Sequence, residues 1–259
     1  MKNFTIERND FLNRDVEACY HTEYYGFRAP ENPDYVNYLK NQFGNESQEL
    51  LELSYRNLHN ALLEDFNKLK SILPIDCIVC TVPRAKTDES YNHNQLLFKS
   101  AVSNVSKNVF FDGTHYIKRT TNTATTHLSR NPSYVYNQPN EPMPYKGITN
   151  DTCKICDDVK GKTILLVDDI YTKGVNIDED CIQFLYDKGA DRVVFYAIGK
   201  TTREPMNSDT YLQKTNNQLS NHTTSWIEGD IFKNLTSKDF DPNNEEDVAF
   251  FKLIFDSSK

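Results

Sequence analysis

Residues 161–178 read Gly161-Lys162-Thr163-Ile164-Leu165-Leu166-Val167-Asp168-Asp169-Ile170-Tyr171-Thr172-Lys173-Gly174-Val175-Asn176-Ile177-Asp178. Gly161-Lys162 marks a tight turn, and 164–167 is an unbroken apolar run. Such a run between turn residues predicts a parallel strand buried on both faces. Asp168 and Asp169 fall where that strand is expected to leave the sheet. A short loop with Thr172 and Gly174 follows, and a helix begins near Asn176. Ligands of open α/β sheets bind outside the carboxyl ends of the strands, so this stretch predicts both the fold class and the place of a site.

The chemistry of the loop is that of an anion cup. The first N–H groups of a helix have no intrahelical partner and point outward. Gly174 permits a positive φ or a close backbone approach, and Thr172 and Asn176 add side-chain donors. Two carboxylates would repel a phosphate unless they face another part of the ligand, such as vicinal sugar hydroxyls or a hydrated divalent cation. A ribose 5-phosphate satisfies both halves, with its phosphate in the loop and its 2- and 3-hydroxyls on Asp168 and Asp169.

The segment 165–174, Leu-Leu-Val-Asp-Asp-Ile-Tyr-Thr-Lys-Gly, resembles the PRPP-binding motif of type I phosphoribosyltransferases, nearest to their ComF and amidophosphoribosyltransferase-like branch. A Thr or Ser often closes the phosphate loop where this chain has Asn176, and Lys173 holds a position that varies in the family. Upstream, 75–82 (Ile-Asp-Cys-Ile-Val-Cys-Thr-Val) reads as a buried strand, followed by Pro83, Arg84, Ala85 and Lys86. The resemblance makes Arg84, Ala85 and Lys86 the pyrophosphate loop. Asn92-His93-Asn94-Gln95-Leu96 is similar to the branch's helix start, ahead of a helix with Leu96, Leu97, Ala101, Val102 and Val105. Residues 117–130 resemble its mobile segment, with Arg119, Thr120 and Thr123 along it and His127 where relatives tend to carry Gln. Such a segment suits a lid that excludes water, and 131–150, with four prolines, continues it as an irregular connection.

Length and composition agree with one large domain carrying additions: 259 residues, 38% apolar, formal net charge −8. The acidic balance argues against a broad nucleic-acid footprint. Neither an eighteen-residue apolar run nor a signal-like N-terminus is read, and six scattered cysteines predict free thiols in a reducing cytoplasm. Cys77/Cys80 and Cys153/Cys156 have C-x-x-C spacing, but positions three apart on a strand point to opposite faces, so inert buried thiols are expected rather than a zinc site.

Residues 1–45, rich in Tyr and Phe among polar residues, predict an irregular arm with short helices. Residues 46–73 predict a long helix from Leu51, Tyr55, Leu58, Leu62, Phe66, Leu69 and Leu73 at three- and four-residue steps. Asn45 and Gln48 suggest a capping box, and Pro74 a stop. Cys181, Ile182, Leu185 and Tyr186 mark a helix ending at Lys188-Gly189. Residues 193–198 predict the next buried strand, reached by a right-handed parallel crossover. The tail holds Trp226 and an apolar end, 248–255, expected to dock as a helix.

The resemblance therefore implies an α/β chain of type I phosphoribosyltransferase fold, a mostly parallel sheet flanked by helices. The arm (1–45), core (46–200) and extension (201–259) follow in order, the additions forming a hood. It implies a cytoplasmic, Mg²⁺-dependent transferase moving a 5-phosphoribosyl group between pyrophosphate and a nitrogen nucleophile. In that reading Asp168, Asp169, Lys86 and Arg119 serve catalysis, and Arg84, Ala85, Lys86, Asp168, Asp169, Thr172, Lys173, Gly174 and Asn176 bind substrate. Mg²⁺ meets Asp168 and Asp169 indirectly, through Mg-PRPP. Partners are PRPP and an acceptor the chain does not name, without a membrane, and a homodimer or protein partner stays open. The alternatives are a non-catalytic PRPP or nucleotide sensor on the same fold, and an effector that modifies cellular nucleotides.

Overall fold

In chain order the elements are β1 (Lys2–Ile6), β2 (Val16–Tyr24), α1 (Asp34–Tyr38), α2 (Gln48–Leu69), β3 (Ile78–Thr81), α3 (Leu97–Val109), β4 (Phe111–Asp112), β5 (Ile117–Arg119), β6 (Cys153–Ile155), β7 (Thr163–Tyr171), α4 (Ile177–Asp187) and β8 (Arg192–Thr201). These come from a computed structural model, which describes residues 1–26, 29, 31–39, 44–123 and 148–202. The chain divides into two units, Met1–Arg203 and Glu204–Lys259. The second, with Trp226 and the tail segment 248–255, lies outside the described residues, as do 124–147 with His127.

One six-stranded sheet runs β1-β2-β8-β7-β3-β4. All its pairings are parallel except β1 with β2. The protein is thus α/β, with a mostly parallel mixed sheet flanked by helices, a Rossmann-like arrangement. β7 explains its own sequence. Ile164 and Leu166 pack with Cys181, Ile182 and Leu185 of α4. Leu165 and Val167 pack with Leu58, Leu62 and Phe66 of α2 and Ala101, Val102 and Val105 of α3. A strand covered on both faces has no polar side to alternate with. Each wholly buried Leu or Phe of α2 contributes about 1.5–3 kcal/mol through burial.

Helix α2 matches the predicted periodicity, but Ser47 caps it, its hydroxyl accepting from Leu50 N–H at 3.3 Å. The expected capping box of Asn45 and Gln48 is not the cap. The helix ends at Leu69, ahead of Pro74. Asn92 and Gln95 do form a reciprocal capping box on the 3-10 turn that leads into α3. Gly161 (φ +70°) starts the turn into β7, and Gly189 (φ +93°) ends α4.

The described part of the predicted arm carries the short helix α1 as expected, but it also forms two strands of the sheet rather than an irregular segment. β2 enters the sheet beside β8, with Ala18 opposite Phe195 and Tyr24 opposite Thr201, and β1 closes that edge. No helix among the described residues is long and apolar enough to cross a membrane.

Candidate functional site

The site begins where two neighbouring strands part. The N–H of Val82 donates to the Val167 carbonyl (3.0 Å), and there β3 leaves the sheet. β7 continues beside β8 alone to Tyr171. Asp168 and Asp169 therefore lie inside the strand, not beyond it, on the open side of β7. The N–H of Asp169 donates to Asp168 Oδ1 (2.8 Å) and that of Ile170 to Asp169 Oδ1 (2.7 Å). Each carboxylate thus holds the main-chain amide that follows it.

The regular ladder skips one row here. Asp168 pairs with Ala197, which pairs in turn with Tyr20, and Ile170 pairs with Gly199, which pairs with Thr22, while Asp169, Ile198 and His21 are not registered as partners. Beyond it the alternation slips, for Ile170 packs on the α2–α3 side with Leu165 and Val167. A local irregularity of this kind re-aims side chains at a sheet edge. Gly199 lies in the slip, where a Cβ would come within 3.1 Å of Tyr24 Cβ and 3.5 Å of Ile170 Cγ1.

Beneath the acids are two more that sequence reasoning missed. Asp178 and Glu179, in the first turn of α4, are 5% and 2% exposed. Burial, and then the Asp168 carboxylate beside it, drive the Asp178 carboxyl well above the usual carboxylate range. A hydrogen bond with Asp168 adds to that upward shift. Glu179 Oε1 accepts from the Tyr171 hydroxyl at 3.0 Å. Asp178 Oδ1 and Glu179 Oε2 are buried with no partner among the described residues. Burial pushes the next residue, Asp180, up to about 6, although it accepts from the Ile148 backbone N–H. In the sequence, Asp-Glu-Asp at a helix start reads as solvated charge favoured by the helix dipole. Only the placement of α4 against β7 buries them.

The predicted phosphate loop closes as a turn, Val175 N–H donating to the Thr172 carbonyl (3.1 Å). Thr172 Oγ1 lies 2.7 Å from Thr201 Oγ1 on β8. Gly174 has φ +86°. Asn176 is the one non-glycine residue described with positive φ, at +67°, and its side chain donates to the Gly174 carbonyl (3.4 Å) rather than capping α4. Asn tolerates the left-handed region, whereas a β-branched residue such as Thr does not. Asn176→Thr should lower stability by about 1–2 kcal/mol, whereas Asn176→Gly should stay within about 0.5 kcal/mol of the parent; urea unfolding of the two variants checks this. Lys173, predicted beside the phosphate, reaches Glu7 Oε2 at 2.9 Å, both side chains being exposed.

The predicted pyrophosphate loop leaves the same sheet edge, next to Asp168. Arg84 stacks on Tyr91, with its guanidinium carbon 4.2 Å from the ring centre, and donates to the Gln95 carbonyl. Lys86 Nζ donates to the Thr123 carbonyl (2.9 Å). Ala85 contributes its carbonyl, which accepts both the N–H (2.9 Å) and the hydroxyl (3.0 Å) of Thr123.

The first part of the predicted mobile segment is built into the fold. Arg119 lies in β5, which pairs antiparallel with β6. It is 6% exposed, and its Nε donates to the Arg84 carbonyl at 3.0 Å. Thr120 N–H donates to the Thr152 carbonyl (2.8 Å), and Thr123 is fully buried. The structure thus brings 83–86, Asp168, Asp169 and 172–176 to one edge, with Arg119 behind the first of these.

All six cysteines are free thiols, and all but Cys156 are buried. Burial pushes Cys19 and Cys77 up to about 12 and raises Cys80, Cys153 and Cys181 as well. Thiols held in the protonated form are poor nucleophiles and poor metal ligands. No protein-family model matches this chain, and no curated protein matches it.

Proposed function

We propose that the protein is a phosphoribosyltransferase that acts on PRPP and a nitrogen nucleophile, with release of pyrophosphate. One observation carries the reading: the acid pair, the positive-φ loop leading into α4 and the loop 83–86 leave adjacent parallel strands at one sheet edge. Paired carboxylates accept hydrogen bonds from vicinal hydroxyls, and the loop before α4 presents main-chain amides to a phosphate. Burial disfavours the charged form of Asp178 at a helix start that carries three acids. Arg84 and Lys86 supply positive charge on the side where pyrophosphate would leave, and Arg119 braces that loop from behind. The donor set suits Mg²⁺ arriving with PRPP, which Asp168 and Asp169 would meet through the ribose hydroxyls. The ion supplies charge neutralisation on the leaving pyrophosphate.

A second reading is a non-catalytic PRPP or nucleotide sensor. It is favoured by the ties of Arg84, Lys86 and Arg119 to the main-chain carbonyls of Gln95, Thr123 and Arg84. Calorimetry with PRPP and Mg²⁺, followed by a pyrophosphate-release assay with adenine, guanine, hypoxanthine, uracil and ammonium, separates the two. The transferase reading expects binding with a Kd below about 1 mM and release with at least one acceptor. Binding without release favours the sensor, and absence of binding removes both.

A further inference from the structure

Asp178 and Glu179 stand side by side in the first turn of α4, and each holds a different residue of β7. Asp178 is hydrogen-bonded to Asp168, and Glu179 Oε1 accepts from the Tyr171 hydroxyl at 3.0 Å. On a regular strand, residues three apart point to opposite faces. Here Asp168 and Tyr171 both reach α4, because the slip in β7 lies between them. Leu166 and Tyr171 pack in one cluster with Cys181, Ile182 and Leu185 of α4, whereas Ile170 packs on the other face. The start of α4 therefore grips the acid-bearing stretch on both sides of its irregular row.

This grip is not favourable in itself. Both acids are buried, and Asp178 Oδ1 and Glu179 Oε2 have no partner among the described residues. A buried acid with an unpartnered oxygen lowers stability. The helix dipole does not require burial, since an exposed acid in the first turn interacts with it favourably. The titratable groups around Asp178 include Asp168, Asp169 and Tyr171 of β7 and Glu179 and Cys181 of α4. None of these is a cation that would offset the burial.

What the placement does provide is a second hold on Asp168. The N–H of Asp169 donates to Asp168 Oδ1 at 2.8 Å, and Asp178 meets the same carboxyl from α4. Two holds fix the side-chain torsions of Asp168, and an acceptor fixed in advance loses less freedom when a ligand binds. Asp178 also lies two residues past Asn176, in the helix start that the loop 172–176 leads into. One residue thus touches the acid assigned to the ribose and continues the loop assigned to the phosphate.

We propose that Asp178 is a positioning residue that aims the Asp168 carboxylate at the ribose hydroxyls and ties it to the helix start behind the phosphate loop. The inference rests on the reading of this edge as a PRPP site. Asp178 acts through Asp168, while Glu179, through Tyr171, keeps the far end of the same stretch in place.

The test measures the PRPP affinity of the full chain by calorimetry with Mg²⁺. Asp178→Ala removes the contact, with Asp178→Leu in its place should the first variant fail to fold. Asp178→Asn keeps the side-chain length and can donate an N–H to the Asp168 carboxylate. Asp178→Ala is made both in the parent and together with Asp168→Ala, which leaves no carboxylate to aim. The expected result is a Kd raised about 5–20-fold by Asp178→Ala in the parent but changed less than about twofold when Asp168→Ala is already present. Asp178→Asn should bind within about twofold of the parent. Equal losses with and without Asp168, an Asn variant as weak as the Ala variant, or no loss in either overturns the inference and leaves the PRPP reading standing. A parent that does not bind PRPP removes that reading, and the inference falls with it.

Discussion

Asp168→Asn combined with Asp169→Asn is expected to abolish pyrophosphate release and to weaken PRPP binding by at least about 10²-fold, while the far-ultraviolet circular dichroism stays that of the parent. An amide accepts less strongly than a carboxylate and carries no charge, so two charge-assisted bonds to sugar hydroxyls, each about 1.5–3 kcal/mol, are lost together. The backbone should tolerate the change, since an amide oxygen can still accept from the N–H groups of Asp169 and Ile170. Burial still raises the Asp178 carboxyl in the variant, but the Asp168 charge that adds to it disappears. Isothermal titration with PRPP and Mg²⁺ and a pyrophosphate assay read the two effects separately. Unchanged release in the double variant would remove the assignment of the acids.

Asp65→Ala should cost about 3–5 kcal/mol of stability, as expected when one partner of a buried charged network is deleted. The His21 ring and the Tyr196 hydroxyl, both bonded to Oδ2, lose their acceptor inside the sheet–helix interface. The sign with pH follows from the depressed carboxyl. The carboxylate stabilises the fold above its unfolded value of about 4 and loses that contribution as pH falls through the lower, folded value. Urea unfolding at a series of pH values should therefore show the gap between parent and variant shrinking on acidification below about pH 4. A constant gap would contradict it.

The central strand was legible because its signal is local. Residues 164–167 are apolar without interruption, and both helix faces that cover them show three- and four-residue spacing. The same locality explains the failures. In β2, Glu17, His21, Thr22 and Glu23 interrupt any simple alternation, yet several of these are matched elsewhere in the fold. His21 meets Asp65 on α2, and Glu23 accepts from Lys2, Tyr20 and Thr202. Polar residues whose partners lie on distant elements read as loop. Arg119 misleads in the opposite sense: Arg-Thr-Thr suggests a solvated, mobile stretch, but pairing with β6 and the Arg84 carbonyl bury it. At the candidate site, chain order pointed to one sheet edge for the acids and loops, although the acids lie within β7 and not past its end. Chain order could not reveal Asp178 and Glu179, whose burial depends on how α4 leans against β7.

The union of β2 with β8 also bears on how the chain reaches its native state. Cys19 Sγ contacts the Phe195 carbonyl across 176 positions of sequence, and among the described residues β8 is the parallel neighbour of β2. During synthesis the N-terminal hairpin of β1 and β2 would wait, one edge unpaired, until almost two hundred residues have followed. Closing so long a loop adds only slowly growing entropy, but non-local pairing of this kind slows folding and leaves a strand edge open to wrong partners.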